Sequence, residues 1–592
     1  MFFCYNPYTI LLWDRGSLNS PQNGVSIMKM SGAQMICEAI IAEGVTTVFG
    51  YPGGAIMNVY DEIYKQNKFE HILTRHEQAA VHAADGYARA STEVGVAMVT
   101  SGPGFTNAVT GIATAYTDSI PLVVISGQVP LSLIGTDGFQ EIDAVGISRS
   151  CTKHNYLVRT LEELPRVLKE AFYIARSGRP GPVLVDVPKD ITGEIGEFVY
   201  PTEVNLPSYK PNYKGNNRQI QKAAKAILEA KKPLLYVGGG VVLSGAASIV
   251  RELAEMCQIP AVETLMSRGV MGADNPLLLG MLGMHGNYAS NMAMSETDLV
   301  ISLGARFDDR VTGKLSEFAK YADVIHVDID PANIAKLVDV DYPIVGDIKT
   351  VVEKMMPLLK EGINTERYQV WRDILNRYDE LHPLMYNDSD EVIKPQWAIE
   401  RLGELVGEQA IITSDVGQHQ MWAAQFYPFD RPNQWINSGG LGTMGYGFPA
   451  AIGAKKAVPE KTVINITGDG SILMNVQELV TAAEHKIPVI NVILNNHFLG
   501  MVRQWQTFFY DKRYSETDLS YQPNWKMLAE ACGGIGYDVT TKEEFDAAIK
   551  DAIEQDKVAF VNVAVARLEN VLPMVPSGGA LYNMMLEHKE EK

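Results

Sequence analysis

Cysteine is scarce in this chain. Its five copies in 592 residues (Cys4, Cys37, Cys151, Cys257 and Cys532) are scattered, odd in number and without a C-x-x-C pair. That excludes a disulfide framework and a thiolate zinc site, and it fits a reducing cytoplasm. No run of 18 apolar residues occurs, so a membrane-spanning helix is not expected. Positive charge is in deficit, with 51 Lys and Arg against 70 Asp and Glu and a net charge of −19. Such a chain lacks the basic patches that hold nucleic acid or an anionic membrane surface. No basic run precedes the short apolar patch from Tyr8 to Trp13, and Arg15 alone follows it closely, so neither a secretory nor an organelle-import signal is indicated. Residues 1–29 read instead as a poorly ordered extension, or as a misassigned start ahead of Met28 or Met30. No short repeat is evident.

What remains is the composition of a globular enzyme, 46% hydrophobic and 20% charged. The chain is too long for one core, and about 150 residues per domain gives three or four. Residues 30–190 alternate helices with apolar strands, as at Thr46–Phe49, Val94–Thr100 and Leu122–Ile125. Residues 191–217 carry Pro201, Pro207 and Pro211 with no helical period and read as a linker. A second α/β block covers 218–360, with strands at Leu234–Val237, Leu299–Leu303 and Val324–Ile329. A polar connection (361–394), a third block (395–570) and a tail (571–592) follow. The fold class expected is α/β, as three doubly wound parallel-sheet domains.

The densest chemical signal lies in the third block. Val463–Thr467 reads as a buried strand ending in Gly468-Asp469-Gly470, residues 471–486 as a helix, and Val489–Leu494 as a second strand ending in Asn495-Asn496. A strand–helix–strand unit makes the two strands parallel, so Asp469 and Asn496 emerge on one sheet edge, the edge where doubly wound sheets bind ligands. One carboxylate and one amide oxygen suit Mg²⁺, which keeps its other positions for phosphate oxygens and water. The flanking glycines let backbone N–H groups approach a diphosphate. In the first block Glu77 follows the strand-like Phe69–Thr74 and opens a helix. A helix N-terminus favours its ionised form and burial its protonated form, an opposition that can poise a carboxylate for proton exchange.

Tyr51-Pro52-Gly53-Gly54-Ala55, Glu77, Ser101-Gly102-Pro103-Gly104, Gly468-Asp469-Gly470 and Asn495-Asn496 together resemble, in this order, the motifs of thiamine-diphosphate 2-oxoacid enzymes. Gly304-Ala305-Arg306-Phe307-Asp308-Asp309-Arg310 and Gly135-Thr136-Asp137-Gly138-Phe139-Gln140-Glu141 narrow the resemblance to the acetohydroxyacid (acetolactate) synthase large-subunit family, over about residues 30 to 575. Gly138 departs from the family's usual alanine.

The resemblance implies a carboligase. It decarboxylates pyruvate and joins the two-carbon unit to pyruvate or 2-oxobutanoate, in valine, leucine and isoleucine synthesis. Thiamine diphosphate would be held by Gly53, Gly54, Ala55, Glu77, Gln418, His419, Met444, Gly468, Asp469, Gly470, Ser471 and Asn496, with Met444 beneath the thiazolium ring. Mg²⁺ would sit on Asp469, Asn496 and the Phe498 carbonyl. Arg310 would hold the acceptor's carboxylate and Trp505 would enclose the extra methyl of 2-oxobutanoate. Gln140 would lie near the reacting carbon, and Lys189 at the substrate entrance. FAD would contact Arg179, His285, Gly304, Arg306, Asp328 and Asp347. The implied assembly is a homodimer or homotetramer in the cytoplasm, with room for a small regulatory subunit. The residues by themselves leave open a flavin-independent synthase, a pyruvate oxidase or decarboxylase, a silent paralogue, and a flavin oxidoreductase. The 304–310 motif and Trp505 count against the nearest of these.

Overall fold

The computed structural model describes residues 28–586. Three parallel six-stranded sheets form, because their strands are apolar runs buried on both faces, as in Val463–Gly468, Val489–Asn495 and Pro182–Pro188. The first sheet runs, in spatial order, Glu70–Leu73, Thr47–Gly50, Gly95–Val99, Leu122–Gln128, Pro182–Pro188 and His154–Leu157. The third repeats that topology with Trp435–Asn437, Ile411–Ser414, Val463–Gly468, Val489–Asn495, Ala559–Ala564 and Ile535–Val539. The central sheet differs. Its order is Leu278–Met281, Ala261–Glu263, Pro233–Val237, Leu299–Leu303, Asp323–Asp328 and Tyr342–Val345, which numbered along the chain is the 3-2-1-4-5-6 arrangement of dinucleotide-binding sheets.

Each sheet reverses its winding next to its first strand, and the crevice there sits at the strands' carboxyl ends. These crevices open beside Gly50 and Val99 in the first sheet, Val237 and Leu303 in the second, and Ser414 and Gly468 in the third. The motifs at 51–55, 101–104, 238–240, 304–310 and 468–470 therefore leave strands at a switch point. In the third sheet the register pairs Gly468 with Leu494, which sets Asp469 beside the Asn495-Asn496 pair.

The first and third domains share one core. The helices Glu77–Ser91 and Gly447–Ala457 cross in direct backbone contact: a Cβ on Gly453 would lie 1.8 Å from the Ala83 carbonyl oxygen, and one on Gly86 2.0 Å from that of Ala450. Only glycine allows this approach.

Two expectations need correction, and the tail gains a structural description. The helix expected over 471–486 is interrupted. A turn at Asp469–Ile472 passes through a 3₁₀ segment at Leu473–Asn475 into the helix Glu478–Glu484, and the break lets buried Asn475 donate to the Gly445 carbonyl at 2.6 Å. The linker 191–217 begins with structure: Ile195–Phe198 pairs antiparallel with Met28–Ser31, a four-residue strand too short to announce itself by alternation. The tail is packed as far as residue 586. Met574 bridges Met585, Val575 N–H donates to the Met284 carbonyl at 2.8 Å, and Val575 and Leu581 join the apolar cluster of the central domain. Of the extension expected at 1–29, residues 1–27 lie outside the described residues, while Met28 and Lys29 belong to the first strand. No helix among the described residues is long and apolar enough to cross a membrane.

Candidate active site

A single cavity of about 960 Å³ lies between the central and third domains, with a wall from the first. It is lined by Gln418, His419, Met444, Gly468, Asp469, Gly470, Ser471, Asn496 and Phe498 at one end, and by Arg179, His285, Gly304, Arg306, Asp328 and Asp347 at the other. Arg310 and Trp505 stand between them, the guanidinium carbon 5.8 Å from the indole centroid, within range of a cation–π contact.

The end at Asp469 offers groups that could hold an anion and a hard cation. Gly468 faces the His419 ring so closely that a Cβ would meet Nδ1 at 2.8 Å, and a Cβ on Gly470 would meet Leu499 at 2.7 Å. The buried His419 leaves Nε2 without a partner, and burial pushes its pKa down to about 3, so a neutral ring with one free nitrogen faces the cavity. Burial likewise pushes Asp469 up to about 7; its carboxylate accepts from Gln522 and has no cationic side chain beside it. Asn495 turns away, donating to Gln522 at 2.7 Å and Asn562 at 3.0 Å, and leaves Asn496 to line the cavity. Among the described residues no group of three or more His, Cys, Asp or Glu could hold a metal. The Asp469 carboxylate, the Asn496 amide oxygen, which also accepts Phe498 N–H at 3.1 Å, and the Phe498 carbonyl could hold Mg²⁺ completed by phosphate oxygens and water.

Bracing residues surround these groups. Gln418 is bonded at both ends of its amide: Nε2 donates to Gln504 at 2.8 Å and to the Glu569 carbonyl at 3.0 Å, while Oε1 accepts from Asn496 at 3.2 Å. The Phe498 ring lies under the guanidinium groups of Arg567 (4.6 Å) and Arg503 (5.9 Å). Ser471 donates to the Val416 carbonyl at 3.1 Å. The glycine loop carrying Met444 is held from the first domain: Asp118 accepts Gly440 N–H at 2.7 Å and Gly439 N–H at 3.2 Å, Arg89 bridges Asp118 (2.9 Å) to Asp85 (2.7 Å), and Tyr446 donates to Asp85. Met444 is half-buried near Gly470.

The far end fits a dinucleotide. Gly304 adopts φ +66° and packs on Gly240, where a Cβ would come within 2.6 Å of its Cα. His285 keeps an unpartnered buried Nε2 and is pushed down to about 4 by burial. Asp328, raised by burial, accepts from Asp330 N–H at 2.8 Å and Asn333 at 3.2 Å. Arg179 donates to Ser119 of its own domain at 2.8 Å and reaches across to Asp330 of the central domain at 3.3 Å, Arg306 pairs with Asp308 at 2.6 Å, and Asp347 caps the helix Ile348–Lys360.

The remaining candidates gather elsewhere. Gly53, Gly54, Ala55, Glu77, Gln140 and Lys189 do not line this cavity; they sit along the carboxyl edge of the first sheet. Glu77 opens its helix and accepts from Asn107 at 3.0 Å, and Gly53 presses on Thr100, where a Cβ would fall 2.5 Å away. Gln140, at φ +59°, lies against Gly102, and its neighbour Phe139 is 89% exposed. Lys189 is exposed at the end of the strand Pro182–Pro188. The candidate residues of one chain thus fall in two groups on separate sheet edges.

Several cavity residues had no signal in the sequence: Met284, Val416, Leu499, Val502, Arg89 and Asp118, together with Gln522 and Asp85 behind them. Only the Asp85–Arg89 pair, four residues apart on a helix, could have been found locally.

Three family models match the chain: the N-terminal TPP binding domain of thiamine pyrophosphate enzymes over residues 30–147, their central domain over 220–355, and their C-terminal TPP binding domain over 415–563. Among curated proteins the chain is 49% identical over 569 residues to the acetolactate synthase isozyme 3 large subunit of Escherichia coli, covering 95% of this chain and 99% of that one. It is 49% identical over the same length, with the same coverage, to the acetolactate synthase large subunit of Haemophilus influenzae. With the acetolactate synthase of Mycobacterium bovis it shares 49% over 562 residues, covering 94% of this chain and 91% of the other.

Proposed function

Since the chain belongs to the acetolactate synthase large subunits, a family of thiamine pyrophosphate enzymes, we propose that it decarboxylates pyruvate and transfers the two-carbon unit to a second 2-oxoacid. With pyruvate as acceptor the product is 2-acetolactate, and with 2-oxobutanoate it is 2-aceto-2-hydroxybutanoate, the committed precursors of valine, leucine and isoleucine. The observation that carries this reading is the meeting of Arg310, from the central domain, with Trp505, from the third, in the cavity that also holds Asp469 and Met444. A decarboxylase needs no such acceptor subsite.

Bound thiamine diphosphate supplies the carbon nucleophile that takes up pyruvate and lets CO₂ leave. The chain does the rest. Asp469, Asn496 and the Phe498 carbonyl would hold Mg²⁺, the glycines beside Asp469 would admit the diphosphate, and Met444 would pack against the thiazolium ring. Glu77 takes and returns a proton at the aminopyrimidine. It opens its helix and accepts a hydrogen bond from the Asn107 amide at 3.0 Å, which fixes the direction of its side chain. Arg310 holds the acceptor carboxylate, for which a guanidinium fork is the matching donor. Gln140 lies near the reacting carbon and Lys189 at the entrance. Arg179, His285, Gly304, Arg306, Asp328 and Asp347 would hold FAD. The reaction has no net redox step.

Because Glu77 and Asp469 stand on different sheet edges of the chain, the reading includes a homodimer or homotetramer in which each subunit completes its partner's site. Two of the relatives are named large subunits, which supports a small regulatory partner; the pathway supports a cytoplasmic location.

Trp505 should set acceptor choice. Enclosing one extra methyl is worth about 1–3 kcal/mol, so Trp505→Leu is expected to lower the preference for 2-oxobutanoate about tenfold or more with overall turnover largely kept. Competition between the two acceptors, read as the product ratio, measures this. The function itself is tested by incubating the purified protein with pyruvate, thiamine diphosphate and Mg²⁺, with and without FAD. Acetolactate formed only with FAD is expected; acetaldehyde alone would overturn the carboligase assignment.

A further inference from the structure

The helix Glu478–Glu484 follows the Asp469 turn in sequence, yet one of its faces is turned to the first domain. Glu478, Thr481 and the capping His485 recur at three- to four-residue spacing and so share that face. Opposite them runs Leu73–His76, the segment that delivers Glu77. Its strand, Glu70–Leu73, is an edge of the first sheet, so its outward backbone groups have no strand partner. The helix supplies them. Leu73 N–H donates to His485 Nε2 at 3.2 Å, and the Thr481 hydroxyl lies 3.3 Å from the Leu73 carbonyl and 2.6 Å from Glu478 Oε2. Arg75 N–H donates to both oxygens of the Glu478 carboxylate, at 3.0 and 3.2 Å, and His76 N–H faces the same group. The Arg75 side chain closes the set, donating to the Leu73 carbonyl at 2.9 Å and pairing with Glu484 at the surface.

Glu478 is fully buried, and burial pushes it up to about 7. A carboxylate is costly in such a place unless its oxygens are fully used, and here they are used on the backbone of the two residues before Glu77. An apolar residue would cover a sheet edge as well; it could not fix these N–H groups.

We propose that Glu478 is a positioning residue for the reaction, its carboxylate holding the Arg75–His76 backbone so that the Glu77 side chain stands where the aminopyrimidine ring binds. This rests on the reading of Glu77 as the acid–base group. The same 469–485 run carries the metal-binding turn at one end and the Glu77 clamp at the other. Those two ends serve different half-sites of the chain, so the clamp also ties one active site of the dimer to the other.

The test measures how fast the C2 proton of enzyme-bound thiamine diphosphate exchanges in D₂O, by acid quench and NMR, in the holoenzyme. Wild type, Glu478→Ala, Glu478→Gln and Glu77→Gln are compared, alongside thermal midpoint, cofactor affinity and pyruvate KM. Glu478→Ala is expected to slow exchange and kcat about tenfold or more, since small displacements of a reacting group are that costly, with KM and cofactor affinity kept within about twofold. Glu478→Gln, which retains one acceptor oxygen, should recover part of the loss. Exchange at the wild-type rate in Glu478→Ala, whatever its thermal midpoint, would overturn the proposal and leave Glu478 a packing residue. If Glu478→Ala does not fold, Glu478→Gln decides by the same criterion. Slow exchange in Glu77→Gln with normal exchange in the Glu478 variants removes the positioning role alone; normal exchange in Glu77→Gln removes the acid–base assignment and the clamp's purpose together.

Discussion

Glu77→Gln is expected to fold, to bind thiamine diphosphate and Mg²⁺ at close to wild-type affinity, and to lose roughly 10²–10⁴-fold in acetolactate turnover, the span of a general acid–base contribution. The substitution is nearly isosteric. The amide oxygen can still accept from Asn107, now 3.0 Å from Glu77 Oε2, and the helix N-terminus that Glu77 opens keeps a polar first residue. What disappears is a group able to gain and lose a proton at the pyrimidine ring. Steady-state kinetics should therefore show kcat and kcat/KM falling together while pyruvate KM changes little, as for an interaction made only in the transition state. A variant that kept near-normal turnover would remove Glu77 from the mechanism.

Asp469→Ala is expected to act on binding instead. Asp469 is buried, faces the cavity and meets only a neutral amide donor, Gln522, among side chains. A dication beside it would be its sole charge partner. Removing one partner of a buried charge pair costs about 3–5 kcal/mol, so the apparent affinity for Mg²⁺ and, through it, for the diphosphate should fall by about a hundredfold or more. Titration of Mg²⁺ by isothermal calorimetry at saturating cofactor, with thermal midpoints of the metal-free proteins for comparison, separates this from unfolding. Activity restored by high Mg²⁺ and cofactor fits the assignment; an unchanged metal affinity refutes it.

The parts of this site that could be seen in the sequence are those written by local physics. Val463–Gly468 and Val489–Asn495 are apolar runs that can only be buried strands, so the edge carrying Asp469 and Asn496 followed from them. Glu77 at a helix start was legible for the same reason. The 3-2-1-4-5-6 order of the central sheet was not. Val237-Gly238-Gly239-Gly240 is a loose motif, and what gives it meaning is its packing on Gly304, the product of strand order. The strand Ile195–Phe198 escaped because four residues carry too little alternation, and the break at Leu473–Asn475 because its cause, the Gly445 carbonyl, lies in another loop. Glu478, Gln522 and Asp118 read as ordinary helix and loop polar residues until their partners are in place. Arg310 and Trp505 drew their roles from family resemblance alone; their approach to 5.8 Å is a fact of the fold.

The measurement that tests the account most directly is complementation in a purified hybrid dimer. One subunit carries Glu77→Gln and the other Asp469→Ala, each selected by its own tag. If every site takes Glu77 from one subunit and Asp469 from the other, the hybrid holds one site with both substitutions and one with neither, and its acetolactate turnover should reach about half that of wild type. Turnover no higher than that of the two parent variants would mean that Glu77 and Asp469 of the same chain serve the same cofactor, and would contradict the divided site.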